Sequence, residues 1–274
     1  MRFTFISIFP EMIEQTTQYG VLGQSIKKGL LEFDCVNPRD FTEDVHKTVD
    51  DKPYGGGDGM LMLFDPLEKA LNALKKTDTS SLKKVIHLSP QGAPLNDKKA
   101  RELSDLDHIV WVCSRYAGVD QRFINSHIDE ELSIGDFVIS GGEMAALVAT
   151  DAIARKVPGV LGNSSSVTEE SFAKNGYLEA PQFTRPEKVG ELGVPQILLS
   201  GHHKKISEWQ DFMSFYRTLV LRPDLIELNP PEKSFAEKSI EYLRGLSRED
   251  LDSCGLSESS DLERLMTQVI SKLI

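Results

Sequence analysis

The chain has 274 residues, of which 31 are basic and 42 acidic, leaving a formal charge of −11; 40% are hydrophobic and 27% charged. A composition this close to the globular average excludes a disordered or fibrous chain, and no apolar run approaches the ~20 residues that cross a bilayer. The length predicts about two domains with a core that needs no disulfide staples, and the acidic balance excludes sequence-independent coating of nucleic acid, though not a local basic patch.

In chain order, Met1 to Pro10 is apolar but lacks a long hydrophobic region and a small-residue cleavage site. It reads as a buried first strand, not a signal peptide, and the protein reads as cytoplasmic and soluble. Tyr54-Gly55-Gly56-Gly57-Asp58-Gly59 is the densest glycine cluster. It has neither the Gly-Lys-Ser/Thr ending of a phosphate loop nor the register of a dinucleotide loop, so a structural turn is the favoured reading. Pro66 to Leu74 sets Leu67, Ala70, Leu71 and Leu74 on one helical stripe. Three short apolar runs follow, Lys84–Leu88, His108–Cys113 and Asp136–Ile139, each stopping at a turn: Ser89-Pro90-Gln91-Gly92, Ser114-Arg115-Tyr116-Ala117-Gly118 and Ser140-Gly141-Gly142. Such runs alternating with helical stretches predict a parallel α/β sheet covered on both faces, with ligands bound beyond the carboxyl ends of the strands.

Glu143 to Lys156, with Met144, Leu147, Val148 and Ala152, reads as a helix closed by Pro158, and Leu161 to Ser166 as an exposed linker. Lys205 to Leu221 carries Trp209, Phe212, Met213, Tyr216 and Leu219 at helical spacing, and the chain from Glu232 is charged and helical. The expected division is an α/β domain over 1–161, a linker over 162–175, a smaller helical domain over 176–250 and a helical extension over 251–274. Cys35, Cys113 and Cys254 are far apart with no Cys-x-x-Cys pair, and read as buried reduced thiols.

Leu88-Ser89-Pro90-Gln91-Gly92, Ser133-Ile134-Gly135-Asp136 and Ser140-Gly141-Gly142-Glu143 each join glycine or proline to hydrogen-bonding side chains at a strand boundary. Facing one side, they would form a pocket suited to an adenosine-sized ligand. Arg155 is read first as a cation complementing a helix C-terminus, and Glu169-Glu170 as acids opening a helix. The alternative is a proton-abstraction pair, a linker carboxylate beside an arginine. His202-His203-Lys204-Lys205 is either a solvated helix start or a nucleic-acid contact. No histidine pair has zinc-protease spacing, and no metal site is predicted.

The order of these segments resembles the bacterial tRNA (guanine-N1)-methyltransferases of the SPOUT class. The resemblance runs to about Leu225 and rests on Ile6-Ser7-Ile8-Phe9-Pro10-Glu11-Met12, Asn37-Pro38-Arg39-Asp40-Phe41-Thr42, Val49-Asp50-Asp51-Lys52-Pro53-Tyr54-Gly55-Gly56-Gly57, the three loops above, Pro158-Gly159-Val160-Leu161-Gly162, Thr184-Arg185-Pro186 and Leu198-Leu199-Ser200-Gly201-His202. It implies a trefoil-knotted parallel-sheet domain followed by a smaller, mainly helical one. It further implies S-adenosyl-L-methionine as cofactor, tRNA as partner, and an obligate homodimer whose active sites are shared between subunits. The target would be N1 of the guanosine at position 37. By motif matching, Glu170 is the base and Arg155 stabilises O6. Leu88, Ser89, Pro90, Gln91, Ser114, Tyr116, Ser133, Ile134, Gly135, Asp136, Phe137, Val138, Ile139, Gly141 and Gly142 would hold the cofactor. Asp50, Arg185, His202 and Lys204 would meet the tRNA. The family brings magnesium dependence with it, without a defined site in this chain.

Two departures lie at the chemical centre. Thr168-Glu169-Glu170-Ser171 replaces the family's Thr-Glu-Asp-Ser, and Ser114-Arg115-Tyr116-Ala117-Gly118 replaces Gly-Arg-Tyr-Glu-Gly. Asp58 stands where proline is common and Phe183 where tyrosine is usual, and the tail after Glu232 extends past the family's usual end. Two functional readings follow: an active methyltransferase, or a divergent paralogue that binds cofactor or RNA with weak or no turnover.

Overall fold

Three apolar runs of the first part of the chain pair with two less apolar edge segments as five parallel strands. The computed structural model describes residues 1–77, 83–162 and 169–256, and the chain divides into two compact units, Met1–Ser164 and Ser165–Ile274. In the first unit, β1 (Arg2–Ile6), β2 (Glu32–Val36), β5 (Lys83–Pro94), β6 (His108–Val112) and β7 (Glu130–Ser133) form one sheet in the order β2-β1-β6-β5-β7. Two short strands, β3 (Asp50–Asp51) and β4 (Leu61–Met62), pair separately and antiparallel.

Strand alternation sends Phe3, Phe5, Ile86, Leu88, Ile109 and Trp111 to one face, and Ile6, Val85, Val110 and Val112 to the other. Helices α1 (Pro10–Thr17), α2 (Gly20–Lys27), α4 (Asp97–Ser104) and α6 (Gly142–Ala154) contribute to the first core. The second is closed by α3 (Phe64–Thr77) and α5 (Gln121–His127) through Leu67, Ala70, Leu71, Leu74 and Phe123. Both faces are covered, which is why the central strands read as continuous apolar runs.

Two sequence expectations are corrected. Asp136–Ile139 is not a strand: the Ser133 hydroxyl donates to Gly135 O at 3.1 Å and accepts from Gly135 N at 3.2 Å, turning the chain away as β7 ends. The edge strand is instead Glu130–Ser133, disguised in the sequence by acids that pair across the sheet with Lys84 and His87. β5 also runs on beyond Leu88. Leu88 and Ala93 both pair with Leu132, so Ser89–Gly92 bulges from a continuing ladder. On α6, Met144 and Val148 are 52% and 53% exposed, and the buried face is Ala145, Ala146, Leu147, Ala149, Ile153 and Ala154.

In the second unit, Trp209, Met213, Phe215, Tyr216 and Leu219 of the helix His203–Leu221 form a core with Tyr177, Ile226, Ile240 and Leu243. A two-stranded hairpin, Lys188–Val189 with Leu192–Gly193, and the helices Pro223–Leu228, Lys233–Arg244 and Arg248–Ser253 belong to the same unit. Much of the expected linker, and the tail from residue 257, lies outside the described residues. Among the described residues, no helix is long and apolar enough to cross a membrane.

Candidate active site

The bulge within β5, the loop after β6 and the segment from the end of β7 to the start of α6 surround one cavity of about 550 Å³. That volume lies in the range that holds a nucleoside-sized ligand. Its wall takes Leu88, Ser89, Pro90 and Gln91 from the β5 bulge, and Ser114 and Tyr116 from the loop after β6. Ser133, Ile134, Gly135, Phe137, Val138 and Ile139 follow from β7, and Gly141 and Gly142 from the start of α6. Asp136 alone of the expected cofactor residues does not line it.

Backbone packing dictates several of these residues. A Cβ on Gly92 would collide with the backbone of Leu132 and Glu131, and one on Gly142 would lie 2.9 Å from Ser114 N. Gly135 has φ +145°, and a Cβ there would meet the Phe137 ring at 2.5 Å. Tyr116 holds a left-handed φ of 61°, rare for a side-chain-bearing residue and a mark of a backbone held by its surroundings. By contrast Gly55, Gly56 and Gly57 have positive φ with nothing near a built Cβ, so their glycines answer to backbone conformation and not to packing. Ala117 lies on the cavity wall, its N–H donating to Met60 O at 2.9 Å.

The lock between the loops was not legible in the sequence. Gly142 N donates to Ser114 O at 2.7 Å, and Arg115 pairs with Gly141 as an antiparallel bridge. The Arg115 guanidinium lies 4.6 Å over the Phe9 ring, and its Nη1 donates to Ser140 O at 3.3 Å. Its Nε is 2.8 Å from Oε2 of Glu143, which is wholly buried. That N–H is not aimed along the contact, so the pair is ionic and not a linear hydrogen bond. The other carboxylate oxygen of Glu143 accepts from Ser7 Oγ at 2.7 Å. The end of β1, the loop after β6 and the start of α6 are thus tied through one buried charge. Cys113 beside it is fully buried, and desolvation, reinforced by the Glu143 charge, pushes its thiol well above the usual range.

Arg155 caps the C-terminus of α6, its N–H donating to Asp151 O at 3.2 Å, and does not line the cavity. Glu170 is half-buried in the second unit and sits on a bend, not at the opening of a helix. The turn after it is moored to its own unit: Leu178 N donates to Thr218 Oγ1 at 2.9 Å, and Ser214 Oγ donates to Leu178 O at 2.6 Å. Asp50 pairs within the β3–β4 ladder, while Arg185, His202 and Lys204 are exposed on the second unit. Among the described residues, no three His, Cys, Asp or Glu side chains gather as a metal site.

Consecutive parallel strands whose loops interlock around a nucleoside-sized space define the class: a parallel α/β protein binding at the carboxyl ends of its strands. The family model of the tRNA (guanine-1)-methyltransferase TrmD matches residues 1–228. The tRNA (guanine-N(1)-)-methyltransferase of Shewanella sediminis is 50% identical over 227 residues, covering 83% of this chain and 93% of its own. Those of Photobacterium profundum and Vibrio campbellii are 51% and 50% identical over 221 and 222 residues, covering 81% of this chain and 88% and 89% of theirs. The chain belongs to the tRNA (guanine-1)-methyltransferase TrmD family, of the SPOUT class.

Proposed function

We propose that the protein transfers the methyl group of S-adenosyl-L-methionine to N1 of guanosine 37 in tRNA, as a cytoplasmic homodimer whose active sites draw on both subunits. The observation that carries this reading is the cavity at the strand ends, whose size and backbone-rich wall suit an adenosine. Exposed Met144 and Val148, one turn apart on α6, support a second copy of the chain against this face.

When bound, the cofactor supplies a methyl group on a sulfonium that is already electrophilic. The protein therefore has to align the guanine and manage one proton. Alignment is worth about 7–11 kcal/mol of the barrier. Glu170 would take the N1 proton, leaving an electron pair on N1 to form the new C–N bond, and Arg155 would stabilise the negative charge that collects on O6. Asp50, Arg185, His202 and Lys204 are assigned to positioning the tRNA, the cations by contacts to its phosphates. Glutamate at 170 lengthens the usual acid by one methylene, and Ala117 removes an acid, so the reaction is expected to run without a metal held by residue 117.

The test is transfer of labelled methyl to unmodified tRNA with guanosine at position 37, against the same transcript with adenosine there. Methylation at N1 of the first transcript alone supports the reading. Binding of cofactor and tRNA with no transfer would replace it by the inactive-paralogue reading.

A further inference from the structure

Glu143 is wholly buried and does not line the cavity, but it holds a residue that does. Its Oε2 lies 2.8 Å from Nε of Arg115, and its Oε1 accepts from Ser7 Oγ. The acid stands in the first turn of α6, where the helix dipole favours a negative charge. A charge taken out of water is seldom a source of net stability, and an apolar side chain of similar volume often serves as well. A buried ion pair can instead fix one arrangement of the chains that carry it.

The chains fixed here are two walls of the cavity. Arg115 stands between Ser114 and Tyr116 on one wall, and Gly141 and Gly142 belong to the other. The walls meet where Gly142 N donates to Ser114 O at 2.7 Å and where Arg115 bridges to Gly141. The Arg115 side chain lies directly against Gly141, where an added Cβ would come within 2.2 Å of Nε. A shift of either wall therefore displaces the guanidinium. Tyr116 needs the restraint, because its φ of 61° is a backbone state that side-chain-bearing residues adopt only when their surroundings impose it. Among the groups on the guanidinium, the Phe9 ring is 44% exposed and Ser140 O accepts over a long 3.3 Å, whereas Glu143 is buried and charged. Glu143 is the strongest of these three restraints.

We propose that Glu143 is a positioning residue: through Arg115 it holds the loop after β6 against the start of α6, and so sets cofactor affinity without touching the cofactor. This rests on the reading that the cavity holds S-adenosyl-L-methionine. Without the carboxylate the guanidinium is free to leave for solvent, and the binding arrangement becomes one of several. Apparent affinity then falls in proportion to the competent fraction.

The experiment is calorimetric titration of the purified full-length protein with S-adenosylhomocysteine, which reads the dissociation constant and the fraction of sites that bind. Glu143→Gln keeps an acceptor for Ser7 but removes the charge that holds Arg115. It is expected to weaken binding about tenfold at unchanged stoichiometry, as a competent fraction of about one tenth implies. In an Arg115→Met background the same Glu143→Gln change should cost no further affinity, because the residue through which it acts is gone. Thermal melting confirms that each variant is folded at the temperature of titration. An unchanged dissociation constant in Glu143→Gln, a loss of binding sites with the constant unchanged, or a full further loss in the Arg115→Met background would overturn the assignment while leaving the cofactor reading intact. No uptake by wild type would sink the cofactor reading, and the assignment with it. If Arg115→Met does not fold, Glu143→Gln decides alone: weaker binding at full stoichiometry supports the assignment, and an unchanged constant overturns it.

Discussion

Replacing Arg115 by methionine and Glu143 by glutamine should cost very different amounts, although the two residues form one ion pair. The Glu143 side chain is fully buried, while that of Arg115 keeps 19% of its surface in water. In Arg115→Met the carboxylate stays buried with Ser7 Oγ as its remaining donor, and the guanidinium's contacts to Phe9 and Ser140 O are lost as well. A buried charge stripped of its partner costs about 3–5 kcal/mol. Glu143→Gln removes the charge but keeps an acceptor for Ser7, and Arg115 can turn to solvent, so about 1–2 kcal/mol is expected. The double substitution should cost less than the sum of the two by about 1–3 kcal/mol. Urea unfolding measures this cleanly in a Trp209→Phe background, where fluorescence reports Trp111 alone, buried in β6 of the first unit. Protein concentration must be held constant, since association shifts apparent stability. Equal costs for the two single substitutions, or strict additivity, would show that this pair does not hold the loops together.

Glu170→Gln should lower methyl transfer by about 10²–10⁴-fold while leaving cofactor affinity unchanged in calorimetry; an unchanged rate would remove Glu170 as the base. Gly92→Ala should destabilise by at least about 1–3 kcal/mol, because the new Cβ meets backbone at Leu132 and Glu131 and not a side chain that could swing away; a melting temperature equal to wild type would contradict that. Glu130 sits 2.8 Å from Lys84 and 2.6 Å from Lys99. Burial alone would raise its carboxyl, but the two lysines prevail and hold it below the ordinary value. A depressed native acid adds stability above its unfolded pKa and loses it as pH falls through the native one. Glu130→Gln should therefore cost about 1 kcal/mol at neutral pH and nothing in strong acid, and a cost independent of pH would refute the link.

Much of this was legible in the residue order. The central strands announce themselves because a parallel sheet covered on both faces needs mostly apolar side chains, and Phe3, Phe5, Ile6 and Ile109–Val112 supply them. The stripe of α3 and the apolar spacing of the long helix His203–Leu221 are local periodicities of the same kind. β7 escaped notice because an edge strand carrying Glu130 and Glu131 has no apolar run to show, and Asp136–Ile139, which has one, is turned out of the sheet by Ser133 and Gly135. The loops around the cavity could be named from their glycines and prolines, and the family from their order.

Composition, hydrophobic period and motif order thus determined the α/β-then-helical architecture and the family, since each is read along the chain without knowing which distant segments meet. Tertiary structure alone decided that Ser7, Arg115 and Glu143 meet and that Gly92 lies against Leu132. These contacts join segments up to 136 residues apart. They arise from strand pairing and loop crossing, which bring together side chains whose spacing along the chain has no period to betray them.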